Sequence, residues 1–255
     1  MSLVQCLAAA LDLPAQGLLS IVGAGGKTTL MYRLAAELTT LGLRVACTTT
    51  TKIFPPADHQ ASLVLTSADT HWLDTCRAMP ATQCVCLGLK RIHDKISGLS
   101  CATVNELARA NVFDWILVEA DGARGLALKA PAEHEPVIPG ASTHVLAVLG
   151  LTALGQPLEE GQVCRSGHYA RLTGLAPGAA VSPESVARLC AHPDGAFKNT
   201  PPGAQRLLWL NQADVPQTLV LGREILHQLR TRAFFPYRVC LGAAQQDHCV
   251  REVWP

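Results

Sequence analysis

The chain is short of charge: Asp, Glu, Lys and Arg make up 16% of its 255 residues, and the formal net charge is +1. A basic face for nucleic acid or for an anionic membrane surface is therefore not expected. Disorder is excluded as well, because hydrophobic residues reach 49% and can bury a core. Long apolar runs are also missing. None approaches the roughly eighteen residues needed to span a bilayer. The amino terminus, MSLVQCLAAALDLPAQG, lacks a basic leading region, Asp12 interrupts it, and no small-residue cleavage site follows. A short helix is expected there rather than a signal peptide, and with it a cytoplasmic location. The ten cysteines are scattered, and without an export signal they read as reduced, buried thiols. Cys84 and Cys86 stand two apart on a strand and so face one side. No second pair stands at zinc-site spacing, so a packed core is expected rather than a metal centre. Repeats and flexible linkers are absent too. Residues 1–255 therefore read as a single domain, with 192–203 the only stretch resembling a boundary.

What is present is an alternation of apolar strands and amphipathic helices. Residues 18–22 form an apolar run, and a helical pattern follows from Lys27, with Leu30, Leu34, Leu38 and Leu41 at helical spacing. Gly42 stands where a C-cap glycine belongs. A second apolar run, 43–47, ends in four threonines, giving a strand–loop–helix–strand unit. A helix over 68–79, a strand over 84–89 and a helix opening with a capping box at Thr103 and Glu106 come next. DWILVEADG is an apolar strand ending in acids, 123–143 an ordered loop, and THVLAVLG a buried strand. Ser182 and Pro183 supply the N-cap and first turn of a helix. RLLWL is a strand, 216–230 a helix and YRVCL a last strand. The pattern predicts an α/β fold with a mainly parallel sheet and helices on both faces.

Three motifs carry chemistry. In SIVGAGGKTTL, residues 20–30, a glycine turn opens a helix after a strand, the layout of a phosphate loop. Backbone N–H groups and a helix N-terminus would surround the phosphates, with Gly23, Ala24, Gly25, Gly26, Lys27, Thr28 and Thr29 in contact. Lys27, expected to be exposed, supplies charge, and Thr28 a Mg²⁺ ligand. The usual first glycine is replaced by Ile21, so Gly23 is expected to supply the turn. In ILVEADG, Glu119 and Asp121 stand at the carboxyl end of a strand, the edge where open α/β sheets bind ligands. Either is a candidate to hold Mg²⁺ or orient an attacking water, and Gly122 to donate to a terminal phosphate. In LWLNQAD, Asn211 and Asp214 have the spacing of a guanine-reading loop. A carboxylate only accepts hydrogen bonds, and guanine offers two adjacent donors where adenine offers an acceptor. The competing reading is a turn with Asp214 capping the following helix. Gln212 replaces the lysine that usually lies on the base. A hydroxyl of TTTTK, 48–52, is read either as reaching Mg²⁺ or the γ-phosphate or as part of a β-branched strand end, and His134 and Glu135 as functional groups or as parts of a polar loop.

GAGGKTTL, TTTTKI, EADGARGLALKAPAEHEPVIP, GLTALGQPL and LNQAD together resemble the YqeC family, accessory proteins for selenium-dependent molybdenum hydroxylases. The 119–139 segment is the most specific part of that resemblance. The layout is also similar to the P-loop GTPases that deliver metals to urease, hydrogenase and cobalamin enzymes. Glu119 and Gly122 match their Glu-x-x-Gly motif, whereas Gln212 and Ile21 depart from the usual pattern. In glycine spacing, GAGGKTT is closer to the ATP loop of peptidoglycan-precursor ligases. The resemblance implies a P-loop NTPase-like domain that binds GTP or ATP with Mg²⁺ and hydrolyses it, using Lys27, Glu119 and Asp121. The partners it implies are a molybdenum hydroxylase or its cofactor-synthesis enzymes, and a second copy of the chain. The alternatives are a nucleotide-binding scaffold with negligible turnover, or an ATP-dependent ligase or kinase acting on a cofactor precursor.

Overall fold

The computed structural model describes residues 6–232 and 235–255; the first five residues of the expected amino-terminal helix lie outside them. That helix is the short α1 (Leu7–Ala10), and the first strand, β1 (Gly17–Gly23), leads through the glycine turn into α2 (Lys27–Thr40). Gly42 follows the α2 C-cap residue Leu41 at φ 84°. The N–H of Leu43 returns to the carbonyl of Leu38 and that of Gly42 to Thr39, closing the helix as a Schellman turn. β2 (Val45–Thr49), β3 (Lys52–Ile53) and β4 (Ser62–Leu65) come next, then α3 (Trp72–Ala78), β5 (Val85–Gly88) and the hairpin of β6 (Lys90–Ile92) and β7 (Lys95–Ser97). The helix expected to open at Thr103 with a capping box opens one turn earlier, on a single side-chain cap. Ser100 caps α4 (Cys101–Arg109) by accepting from the Thr103 N–H at 3.1 Å. Thr103 is therefore the third residue of the helix, the donor to a cap rather than the cap itself.

β8 (Trp115–Glu119) carries the acid motif and β9 (Leu128–Lys129) follows it, pairing with β11 (Val163–Cys164); the segment 123–143, expected as an ordered loop, thus contains one short strand. Between them run β10 (His144–Gly150) and the 3₁₀ turn Leu151–Ala153. α5 (Ser166–Thr173), α6 (Pro183–Ala191), β12 (Gln205–Asn211), α7 (Pro216–Thr231), β13 (Arg238–Gly242) and β14 (Val250–Trp254) complete the chain. YRVCL is thus not the last strand.

The main sheet runs β14-β13-β12-β10-β1-β8-β2-β5-β4, with every neighbouring pair parallel except β13 and β14. Successive residues of a strand face opposite sides, and both sides are apolar. Trp115 and Leu117 of β8 pack with Leu30, Met31 and Leu34 of α2 on one face. Ile116 and Val118 pack with Val104 and Leu107 of α4 on the other. α6 and α7 cover the remaining half of that second face through Val186, Leu189, Ile225 and Leu229. Burial on both faces is why these strands read as continuous apolar runs rather than alternating ones. Cys84 and Cys86 share the α2 face: Cys84 Sγ lies 3.7 Å from Cys47 Sγ, and the Tyr32 hydroxyl donates to Cys86 Sγ at 3.4 Å. Burial pushes the Cys86 thiol up to about 11, so it stays protonated and apolar. No helix among the described residues is long and apolar enough to cross a membrane.

Because the strands are parallel, their carboxyl ends lie on one edge. β1, β8, β2, β10, β12 and β13 all end there, and that edge assembles motifs far apart in sequence.

Candidate functional site

Ile21, where a phosphate loop usually has its first glycine, is an interior strand residue in register with Glu119 and Leu146. The chain turns two residues later, at Gly23, whose φ is 92°. A Cβ on Gly23 would stand 2.3 Å from the Val148 carbonyl oxygen, so the turn both needs the left-handed region and excludes a side chain. Gly26, at φ 113°, has the same requirement against the Asn211 side-chain nitrogen, at 2.4 Å. The N–H of Gly23 donates to Asp121 Oδ2 at 3.0 Å and that of Ala24 to the Val148 carbonyl at 2.8 Å. These two residues shape the loop and have no N–H left for a ligand. The N–H groups of residues 25–29 have no partner among the described residues. They are the orphan donors of the α2 N-terminus, gathered around one point.

Lys27 is not exposed, as the sequence suggested, but buried. Its ammonium donates to the Gly23 carbonyl at 2.8 Å and lies 3.1 Å from Asp121 Oδ1 and 3.7 Å from Glu119 Oε1. Burial pulls its pKa down, but Asp121 and Glu119 outweigh that and leave it above the ordinary lysine value. Asp121 is buried too, and its other oxygen is 2.9 Å from Lys129. Lys129 in turn sits 2.6 Å from Glu135, and Glu135 3.0 Å from Arg165. Burial alone would raise the Glu135 pKa, but Lys129 and Arg165 hold it below the ordinary carboxylate range. Three cations and three carboxylates thus form one chain, buried except at the half-buried Arg165, where each charge depends on its neighbour. Asp121 belongs to this chain and stands behind Lys27 rather than among the residues that line the cleft. Glu135 is likewise no solvated loop residue, whereas His134 is exposed.

Glu119 does line the cleft. Thr28 donates its hydroxyl to Glu119 Oε2 at 2.6 Å. Burial raises the Glu119 pKa, against the pull of Lys27 and Thr28. Two hard oxygens, one of them anionic, therefore meet at the start of α2. They fit a Mg²⁺ ion, which keeps several waters and takes one or two protein oxygens beside phosphates. Thr48 and Thr49 of β2 are buried, and Thr50 follows them. Thr48 bonds the Leu87 carbonyl, Thr49 that of Glu119 and Thr50 that of Val137, so their hydroxyls tie the end of β2 to its neighbours. Gly122 borders the cleft, and its carbonyl accepts from Lys129 at 2.7 Å.

Asn211 reaches the loop rather than standing free. Its amide donates to the Gly25 carbonyl at 2.6 Å, and its oxygen accepts from Trp209 Nε1 at 3.0 Å and from the Ala244 N–H at 2.9 Å. It locks the glycine loop to β12 and to the turn after β13. Asp214 is exposed and borders a cavity of about 100 Å³ shared with Gly25, Gly26, Thr29 and Ala243–Gln246. Asp214 does not cap α7, whose N-cap position is Val215 with no side-chain bond. Gln212 does not lie free over this cavity. Its side-chain oxygen accepts from the Thr152 hydroxyl at 2.6 Å.

The sequence profile of the YqeC protein family matches residues 19–167, from the first strand through the glycine loop, the acid motif and the charge chain. The chain belongs to the YqeC family. It is also 37% identical over 232 residues to the Escherichia coli (strain K12) protein described as uncharacterized protein YqeC, covering 90% of each chain. That similarity extends past the matched span, whereas the family profile ends before Asn211 and Asp214.

Sequence reasoning missed three parts of this YqeC-family site. Lys129, which is buried, and Arg165, which is half-buried, close the charge chain, and only the folded structure brings them to Asp121 and Glu135. The turn 242–246 comes after an apolar strand on the ligand edge, which is the one signal that pointed to it. Lys52, Phe54 and Lys95 line the far wall of a cleft of about 730 Å³ that begins at residues 25–29. They come from β3, the residue after it and β7, whose alignment no spacing in the sequence announces.

Proposed function

We propose that this protein binds a nucleoside triphosphate with Mg²⁺, GTP in preference to ATP, and hydrolyses it while serving the maturation of a selenium- or molybdenum-dependent hydroxylase. The observation that carries the reading is the run of unpartnered N–H groups at residues 25–29 beside Lys27. Oriented backbone donors at a helix N-terminus, with a lysine among them, suit a chain of phosphates. Thr28 and Glu119 would hold Mg²⁺, which when bound neutralises phosphate charge. Lys27 would exchange Asp121 for a phosphate oxygen, and Lys129 would keep Asp121 compensated. Glu119 would then orient the attacking water. Asp214 would accept from the two donors of guanine. The hydroxylase role rests on family resemblance alone.

One observation favours the second reading, a scaffold with negligible turnover: of the acid pair only Glu119 faces the cleft. Calorimetry with Mg²⁺-GTP and Mg²⁺-ATP, alongside phosphate release, separates the two. Lys27→Met, which keeps the buried volume, should lose at least a hundredfold in affinity for both nucleotides. Equal affinity in wild type and variant, both folded, would end the nucleotide reading.

A further inference from the structure

The phosphate loop has a cavity on each side. Gly25, Gly26 and Thr29 border both the small cavity at Asp214 and the large cleft toward the β3–β7–β6 sheet. A single nucleotide uses the loop and one ring site, and Asp214 marks the small cavity as the base side. The large cleft has a ring surface of its own. Phe54 is 57% exposed there, with the Lys95 ammonium 4.6 Å from its ring centroid. Phosphates have no use for an exposed phenyl face, whereas a second ring does.

Charge points the same way. Lys52, Lys95 and Arg124 line the cleft, and none has an acidic partner among the described residues. The one carboxylate facing them is Glu119, already bonded by Thr28. The platform is built rather than loose. The Gly98 N–H donates to the Thr51 carbonyl at 2.8 Å and that of Leu99 to Thr49 at 2.9 Å, fixing the hairpin to the end of β2. A Cβ on Gly98 would stand 1.9 Å from the Thr49 oxygen, so the two backbones lie in direct contact. Arg124 holds a left-handed backbone, φ 53°, beside Gly125 at φ 77°. Such a conformation is disfavoured for a residue with a Cβ.

We propose that Lys52, Lys95 and Arg124, with Phe54, bind a second small-molecule ligand alongside the nucleotide: a ring-bearing phosphate or carboxylate, its ring on Phe54 and its anion among the three cations. The inference rests on the nucleotide reading for the identity of the neighbour across the loop. The test is calorimetric titration of phenyl phosphate into protein saturated with Mg²⁺ and a non-hydrolysable GTP analogue. The wild type should bind one equivalent. The Lys52→Ala/Lys95→Ala variant should weaken phenyl phosphate at least tenfold while changing analogue affinity less than twofold. Phe54→Ala should weaken phenyl phosphate but leave inorganic phosphate unchanged. These residues are surface-facing, and thermal melts check that the variants remain folded. Displacement of the analogue by phenyl phosphate, no binding to the loaded protein, or parallel loss of analogue and phenyl phosphate in the double variant would overturn the proposal. Binding of phenyl phosphate through these side chains by a wild type that binds no analogue would keep the site and sink the nucleotide reading.

Discussion

Asn211→Ala distinguishes a base-reading asparagine from a latch. The side chain makes three hydrogen bonds, to Gly25, Trp209 and Ala244, on three separate segments. Alanine leaves two buried donors and one carbonyl without partners. At about 1–3 kcal/mol for each buried group left unpaired, and with Gly25 partly reached by water, the loss is about 3 kcal/mol. For a domain of this size that lowers Tm by roughly 6–12 °C. The loop also loses its tether to β12, so the N–H groups of residues 25–29 are no longer held around one point. Affinity should therefore fall for GTP and ATP by the same factor. Urea denaturation measures the first effect and calorimetry with both nucleotides the second. Unchanged stability, together with a loss confined to GTP, would refute the latch and make Asn211 a reader of the base.

Glu119→Gln should slow phosphate release more than it weakens binding, because its charge matters most as the terminal phosphate departs. Asp121→Asn should instead destabilise by about 3–5 kcal/mol, the cost of breaking a buried pair; a denaturation midpoint equal to wild type would contradict the buried charge chain. Asp214→Asn should erase a GTP preference of about ten- to a hundredfold, the effect of about 1–3 kcal/mol from a mismatched buried partner; competition of GTP, ATP and XTP against a fluorescent nucleotide reads it. Because burial raises the Glu119 pKa and a cation needs the ionised form, Mg²⁺-nucleotide affinity should rise with pH from the ordinary glutamate value up to the raised one. Binding in that window should release protons, visible as calorimetric heats that vary with the buffer's ionisation enthalpy. The same shift means that Glu119 favours the folded state at low pH, and that this contribution is lost as pH rises through the raised value.

What the sequence by itself determined was local. Leu30, Leu34 and Leu38 specify α2, Gly23 and Gly26 its turn, and the apolar runs ending in Glu119 and Asn211 specify buried strands. Periodicity and backbone constraint act over a few residues and are legible there. The start of α4 is legible only to within a turn, because Ser100 and Thr103 both carry a cap-competent hydroxyl and the fold decides that Ser100 accepts from the Thr103 N–H. Tertiary structure alone decided which polar groups meet. Parallel pairing brought the carboxyl ends of six strands to one edge, and burial then sorted the charges gathered there. Asp121, which sequence reasoning places in the solvent-facing site, is held between Lys27 and Lys129 behind the lining of the cleft. Glu119, two residues from Asp121, stays at the cleft. Neighbours in sequence on a strand face opposite sides, and the path of the chain beyond a strand's end is set by packing. A spacing shows which residues are near the edge; desolvation of the whole assembly decides which charges must be paired and which remain free for a ligand.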